Sequence, residues 1–236
     1  MDILRIETNK YTYRIYRSVY APVKSNMYII IKGKEAIIVD SNISEEVLGL
    51  MKKQGVEKVH IFLTHEHYDH SHGIWWLQEN FDTKLYCHKN CKDQLSTKKR
   101  SSPRLVAFVI AENDKKNGGN QYEEFKRCIR DYSLAPDVLF DDYQSIVVAG
   151  YRVTVHHVPG HSPGSCLYIL DDAIMFSGDS MIDGTKIITA FKGGNVEDMQ
   201  TQTLPKLRNL SDDLWVLPGH GEPFKKQDFN FDIYNV

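Results

Sequence analysis

The N-terminal quarter of the chain alternates short apolar runs with polar turns, which predicts β-strands. A turn at Gly33-Lys34 separates the third run from the fourth and is typical of a hairpin. A helix over 45–54 follows, because Ser44 suits a helix N-cap and Gly55 suits the position just past a helix C-terminus. The predicted strands of this part are 2–7, 11–19, 27–32 and 35–40.

The rest of the chain returns to the same alternation of strands and helices. Val59–Thr64 is rich in apolar and β-branched residues and predicts a buried strand. Further strands are predicted at 83–87, 145–148, 151–158, 165–170, 173–177 and 214–217, and helices at 73–80, from about 89, and at 196–209. This order predicts an α/β fold in which two mixed sheets pack face to face with helices outside.

A stretch from 96 to about 135 breaks this rhythm and predicts a helical hairpin inserted into the domain. Ser102-Pro103 is a good helix start, and a turn is predicted at 117–120. The second helix would carry on one stripe Tyr122, Phe125, Cys128, Ile129 and Tyr132. The first helix is apolar on every side through Leu105, Val106, Phe108, Val109 and Ile110. Two roles remain open for it: a cap whose side chains face a substrate, or packing against the body or a homodimer partner.

Composition narrows the functional class. The 236 residues suit a single domain over 1–236 with the insert at about 96–135, and 42% hydrophobic with 25% charged residues is ordinary for a globular protein. A net charge of −2 gives no general attraction for nucleic acid, and no apolar run approaches the roughly 18 residues of a membrane span. The four cysteines form no framework, so we expect reduced thiols in a cytoplasmic protein.

Histidine is the residue that points to chemistry. Four of the ten histidines lie between positions 65 and 72, directly after the predicted buried strand. A helix would place His65 and His67 about 200° apart, whereas an extended segment places both on one side. A turn after them would direct the side chains of Asp69 and His70 toward a second position close to the first. These are the nitrogen and oxygen ligands that a pair of divalent ions requires.

Three further candidate ligands follow later strands, each beside a glycine that lets the backbone turn sharply. They are His161, Asp179 and His220. Any one of them alone would be an ordinary surface or core residue. Their joint occurrence with the 65–70 cluster predicts a metal site.

These seven residues, in this order, resemble the metallo-β-lactamase superfamily of hydrolases over about 25–222, and Asp40 fits the first motif of that family. The resemblance implies a four-layer αββα sandwich. It implies a first metal ion held by His65, His67 and His161, and a second held by Asp69, His70 and His220. Asp179 would bridge the two ions.

The expected reaction is hydrolysis by a metal-bound hydroxide, because two close cations lower the pKa of a bound water to about 7. By resemblance, Asp69 would also orient the nucleophile. Zinc is the default metal for such ligands, with iron or manganese as alternatives. Asp179 argues against a true β-lactamase, in which the bridging carboxylate is usually absent. The primary hypothesis is a hydrolase whose small-molecule substrate is a thioester, lactone or other carboxylic ester.

Two alternatives remain open. A phosphodiesterase or nuclease could use the same metals, and a basic cluster at Lys98, Lys99, Arg100 and Arg104 would favour it. A non-hydrolytic iron redox enzyme or a regulatory binding module could also occupy this scaffold.

Other conspicuous residues receive weaker interpretations. His72 could contact a ligand residue or the substrate, whereas the remaining histidines are interpreted as structural or exposed. Those four are His60, His88, His156 and His157. The segment Gly160–Gly164 matches the serine-nucleophile pattern G-x-S-x-G, but that pattern requires a following helix and a strand is predicted here.

Overall fold

The strands pair into two mixed sheets in the computed structural model, which describes residues 1–8, 11–96 and 103–234. The first sheet contains, in spatial order, β1 (Asp2–Glu7), β2 (Thr12–Tyr20), β3 (Ser25–Lys32), β4 (Glu35–Val39), β5 (Lys58–Phe62), β6 (Asp82–His88) and β7 (Val138–Phe140). The second has the spatial order β13-β12-β11-β10-β9-β8, formed by β8 (Tyr143–Val148), β9 (Tyr151–His157), β10 (Cys166–Leu170), β11 (Ile174–Gly178), β12 (Trp215–Pro218) and β13 (Phe224–Lys225).

Strand direction follows the connections. Four pairs are parallel, namely β4–β5, β5–β6, β6–β7 and β11–β12, and the other pairs are antiparallel. Parallel neighbours need a crossover, and helices supply most of them. The helices are α1 (Glu45–Lys53), α2 (Tyr68–Ser71), α3 (Ile74–Asn80), α4 (Lys92–Leu95), α5 (Arg104–Asn117), α6 (Gln121–Cys128), α7 (Val196–Asp198) and α8 (Leu204–Asn209). A π-helical turn, Met199–Thr203, joins α7 to α8.

Aromatic side chains fill the space between the two sheets. The Phe62 ring stacks on Tyr86 at 4.6 Å between centroids and meets the edge of Tyr168 at 5.2 Å. Phe140 from β7 and Phe176 from β11 complete this cluster, and all five side chains are buried. The alternation of the strands directs these residues inward and leaves the opposite faces of both sheets for the helices.

Helices cover both outer faces, which confirms the αββα sandwich. Helices α1, α3, α5 and α6 contribute to the apolar cluster outside the first sheet, and α8 contributes to the cluster outside the second. The N-cap predicted at Ser44 is present, because its side chain accepts a hydrogen bond from the Val47 amide. Among the described helices, none has both the length and the apolar character needed to cross a bilayer.

The prediction of the second insert helix is wrong at its C-terminal end. Helix α6 ends at Cys128, and Ile129 is already extended. Two long-range contacts hold the following segment against the body: the Tyr132 hydroxyl lies 2.6 Å from Ser71 Oγ, and the Leu134 amide donates to the Leu95 carbonyl. These partners lie far away in sequence, so the helical spacing alone gave no sign of them. The short elements α2, β7 and β13 were also not predicted.

The inter-sheet aromatic cluster makes a direct prediction about stability. Replacing Phe62 by Ala should lower the free energy of unfolding by about 3–5 kcal/mol, because it leaves a cavity among four aromatic rings. The exposed residue Phe108 is the control, and its replacement by Ala should change stability by about 0.5 kcal/mol or less. Urea unfolding of metal-free protein measures both. A loss below 1 kcal/mol for Phe62→Ala would contradict this account of the core.

Candidate metal centre

The seven predicted ligands converge at one edge of the sandwich, just beyond the ends of strands. His65, His67, Asp69 and His70 follow β5, and His161 follows β9. Asp179 and His220 follow the neighbouring parallel strands β11 and β12. Strands that point the same way end at the same edge of a sheet, and the two stacked sheets bring their edges together.

The segment after β5 has the local shape expected from its spacing. His67 is extended, with φ −65° and ψ 152°, and the helical turn α2 begins at the next residue. His65 and His67 therefore point to the same side, with His65 Nε2 lying 3.0 Å from His67 Nδ1. Helix α2 then carries Asp69 and His70 to the second half of the site.

Short distances join six of the candidate ligands into two neighbouring groups. His161 Nε2 lies 2.9 Å from His67 Nδ1, which closes a triangle of three imidazoles with His65. In the second group, Asp69 Oδ2 lies 3.4 Å from His70 Nε2 and 3.3 Å from His220 Nε2.

Asp179 lies between these two groups. Its Oδ2 is 3.4 Å from His161 Nε2 in the first group and 3.6 Å from His220 Nε2 in the second. Its Oδ1 lies 3.4 Å from His70 Nε2. One carboxylate is thus within reach of ligands from both groups.

Hydrogen bonds outside the site fix the direction of the imidazole nitrogens. His161 Nδ1 donates to the Ile188 carbonyl at 2.8 Å, and His220 Nδ1 donates to the Val23 carbonyl at 3.1 Å. A carbonyl only accepts, so each Nδ1 carries the proton. In the neutral ring, Nε2 then presents a lone pair to the site, as a metal ligand requires.

Asp40 sets the same orientation for two more histidines. Its Oδ2 accepts hydrogen bonds from His70 Nδ1 and from Thr64 Oγ1, both at 2.8 Å. Because the Thr64 hydroxyl proton is used on Asp40, its oxygen accepts from His65 Nδ1 at 3.0 Å. Both rings therefore direct Nε2 inward, and the Thr64 amide anchors the other Asp40 oxygen.

The inward-facing atoms fit bound cations. His70 Nε2 and Asp179 Oδ1 are buried and have no hydrogen-bond partner among the described residues. Unpaired buried polar atoms are rare in folded proteins, and here they are directed at other ligand atoms. Gly219 keeps this space open, since a Cβ there would lie 2.4 Å from Asp179 Oδ1 and 2.8 Å from His70 Cε1.

The pKa shifts of the histidines also differ between the two groups. Burial and the neighbouring His161 ring lower the pKa of His67 to about 4, and burial with the adjacent rings holds the pKa of His65 well below its usual value. Burial also acts on His70, but the carboxylates of Asp69, Asp179 and Asp40 outweigh it and raise its pKa.

Asp69 and His220 influence each other in the second group. Burial would raise the pKa of Asp69, yet His70 and His220 outweigh it and lower that pKa. For His220, burial is outweighed by Asp179 and Asp69, so its pKa rises. A cation entering this group would take the place of protons.

Strand β3 connects the two sheets at the site, a role that the sequence did not reveal. Ser25 Oγ donates to the Asp69 carbonyl at 3.0 Å. Asn26 Nδ2 donates to the carbonyls of Pro218 and Gly221 on either side of His220, both at 2.9 Å. Two adjacent polar residues at the start of a strand thus hold both segments of the second group.

A second unpredicted connection runs through Glu66. Its buried Oε2 accepts a hydrogen bond from Ser162 Oγ at 2.9 Å and so joins the segments that carry His67 and His161. Burial raises the pKa of Glu66. Ser162 precedes a strand, β10, and not the helix that a serine nucleophile would need, as the sequence predicted.

The remaining histidines lie outside the cluster. His60 is hydrogen-bonded between Glu35 and Tyr86, and the rings of His88 and His157 stack at 3.8 Å. His72 is buried, and its Nδ1 donates to the Tyr68 carbonyl. His156 is half-buried.

A cavity of about 240 Å³ opens directly onto the ligands. Four of them form its base: His67, Asp69, Asp179 and His220. Its apolar wall is made by Val23, Val106, Val109, Ile182, Ile188 and Phe191. Thr185 completes the lining, so among the described residues no lysine or arginine faces this cavity. A larger groove, of about 320 Å³, lies at Tyr11 and Asp171 and touches none of the seven ligands.

Relatives share most of the chain's length. The family model described as the metallo-beta-lactamase superfamily matches residues 20–220. The probable metallo-hydrolase YqgX of Bacillus subtilis is 28% identical over 202 residues, which cover 85% of this chain and 86% of YqgX. The hydroxyacylglutathione hydrolase GloC of Haemophilus influenzae is 25% identical and covers 80% of this chain and 81% of its own length.

Solved structures share the fold. The B3 metallo-beta-lactamase BLEG-1 superposes with a TM-score of 0.70 at 25% identity, covering 90% of this chain and 94% of BLEG-1. TTHA1623 in a di-iron-bound form superposes with a TM-score of 0.65 at 23% identity, covering 90% and 95%. The chain therefore belongs to the metallo-beta-lactamase superfamily, among relatives that are named probable metallo-hydrolases.

Proposed function

We propose that this metallo-hydrolase cleaves a carboxylic thioester, lactone or other carboxylic ester of a small molecule, using two divalent metal ions. The observation that carries the proposal is the convergence of seven buried or half-buried side chains, which form three overlapping groups whose nitrogen and oxygen atoms lie within 4.8 Å of one another. Bound divalent ions lower the pKa of a coordinated water and polarise a substrate carbonyl. No side-chain nucleophile is required.

The ligands divide between the two ions according to their distances. His65, His67 and His161 would hold the first ion, and Asp69, His70 and His220 the second. Asp179 would bridge them, because it lies within reach of ligands from both groups. Zinc suits this set of nitrogen and oxygen ligands, and iron or manganese would also be accepted.

Asp69 has a second role in the proposal. It lines the cavity, and its Oδ2 lies between His70 and His220. The low pKa of Asp69 keeps it an acceptor, so it can receive a hydrogen bond from an attacking water and hold that water toward the substrate. Ser25 supports this position through the Asp69 carbonyl.

The cavity favours a carbonyl substrate over a phosphodiester. Beyond metal ions, phosphate recognition relies on lysine and arginine donors, and the described lining of the cavity contains neither residue type. Of the basic cluster predicted for a nuclease, 98–100 lies outside the described residues, and Arg104 is exposed and does not line the cavity. The name of the relative GloC, a hydroxyacylglutathione hydrolase, supports the thioester within the proposed class.

We also propose that the protein acts in the cytoplasm. Cys87, Cys91 and Cys166 are buried free thiols, which suits a reducing compartment. A homodimer formed through the insert remains part of the proposal.

Metal removal tests the central proposal. Purified protein should contain close to two equivalents of divalent metal, and chelation should abolish thioester and lactone hydrolysis until metal is restored. His67→Ala should lower kcat/KM by about 100-fold or more, because it removes one ligand of the imidazole triangle. The control His156→Ala should retain activity. Full hydrolysis by metal-free protein would contradict the proposal.

Asp40 should affect metal affinity although it is not itself a proposed metal ligand. Asp40→Asn removes the charge that orients His70 and, through Thr64, His65, so metal affinity should fall by about 10–100-fold. Competition with a chromogenic chelator measures this affinity. The exposed residue Asp228 provides the control Asp228→Asn. An affinity for Asp40→Asn within twofold of the wild type would refute the orienting role.

The substrate class is tested with a panel of a thioester, a lactone, a carboxylic ester and a phosphodiester at low and high salt. We expect turnover of one or more carbonyl substrates, with kcat/KM changing less than about twofold with salt. A phosphodiesterase would instead show a steep salt dependence, because phosphate contacts release counterions. Preferred turnover of the phosphodiester with that dependence would overturn the proposed class.

A further inference from the structure

Helix α5 directs its apolar residues to three different environments. Ile110 is buried in the cluster outside the first sheet, where Val106, at 4% exposed, also packs. Val106 and the half-buried Val109 line the cavity above the ligands. Phe108 lies between them in sequence but faces solvent. The insert therefore packs against the body and also forms one wall of the cavity.

Another part of the cavity wall, formed by Ile188 and Phe191, contacts the candidate ligands directly. The Ile188 carbonyl accepts the hydrogen bond from His161 Nδ1, so its backbone position is fixed by a ligand. The Phe191 ring is nearly perpendicular to the rings of His67 and His161, at 5.9 and 6.1 Å between centroids. A substrate carbonyl placed at the ligands would thus have apolar side chains immediately beside it.

The base of the cavity is charged and its wall is apolar, so the two regions suit different parts of a bound molecule. All charged groups in the described lining belong to the seven ligands at the base. An ionic group placed against the wall would lose water without gaining a partner, which is unfavourable. An apolar group gains there, and each buried methylene adds about fourfold in affinity.

We propose that the cavity binds an uncharged apolar chain attached to the scissile carbonyl, and that Val106 and Val109 of α5 set the length of that chain. This inference rests on the proposed function and names the acyl group that the site selects. The cavity has a volume of about 240 Å³. A chain of medium length fills such a space, and a longer chain extends into solvent.

A series of neutral thioesters tests the inference. Acetyl, butyryl, hexanoyl and octanoyl thioesters of N-acetylcysteamine vary only the acyl chain. For the wild-type holoenzyme, kcat/KM should rise about three- to fourfold per methylene until the cavity is full. Val109→Asp should lower kcat/KM by tenfold or more for the octanoyl substrate and by less than threefold for the acetyl substrate.

Two further variants make this comparison specific. Val109→Phe narrows the cavity and should shift the preferred chain to a shorter one. Phe108→Asp introduces the same charge at the neighbouring position of the same helix, where the side chain faces solvent, and should leave the chain-length profile unchanged. A flat profile in the wild type, or a Val109→Asp profile that matches that of Phe108→Asp, would overturn the inference.

Binding without turnover separates this inference from the proposed function. Calorimetric titration with acetate, hexanoate and octanoate should show affinity rising with chain length, and Val109→Asp should remove the rise. If no thioester is hydrolysed but this binding pattern holds, the cavity assignment stands and the proposed reaction fails. If thioesters are hydrolysed with no dependence on chain length, the reaction stands and the cavity assignment fails.

Discussion

The close packing of several imidazole nitrogens in one buried space is the constraint on which the rest of this structure depends. His67 Nδ1 lies about 3 Å from the Nε2 atoms of both His65 and His161, and four histidines direct Nε2 into the same buried space. Lone pairs at such distances repel one another unless a proton or a cation lies between them, and burial removes the water that would otherwise screen them. We propose that divalent cations satisfy this arrangement.

The fold is organised to hold these groups in place. The Asp40 carboxylate orients two histidines, backbone carbonyls orient two others, and Ser25 and Asn26 join the segments from the two sheets. None of these contacts depends on a long flexible side chain. Ligands fixed in this way give a preorganised site, and small errors in ligand position are costly for both binding and catalysis.

The sequence predicted that these seven side chains would converge, and for the 65–70 cluster the relevant information is local. The spacing of His65, His67, Asp69 and His70 after a β-branched run determines their directions once the strand is assigned. The contacts of Asn26 and the link between Glu66 and Ser162 were not predictable in this way, since each joins residues far apart in the chain. The sequence predicted helix α5 itself. It did not show which residues of α5 pack against the body and which line the cavity, because that also depends on residues far away in the chain.

Location of the metal ions by anomalous X-ray scattering from crystals of the holoenzyme tests the central claim most directly. The account predicts two ions about 3.5–4 Å apart. One would be bound by His65, His67 and His161, the other by Asp69, His70 and His220, and Asp179 would contact both. A single ion, or ions bound away from these seven residues, would contradict it.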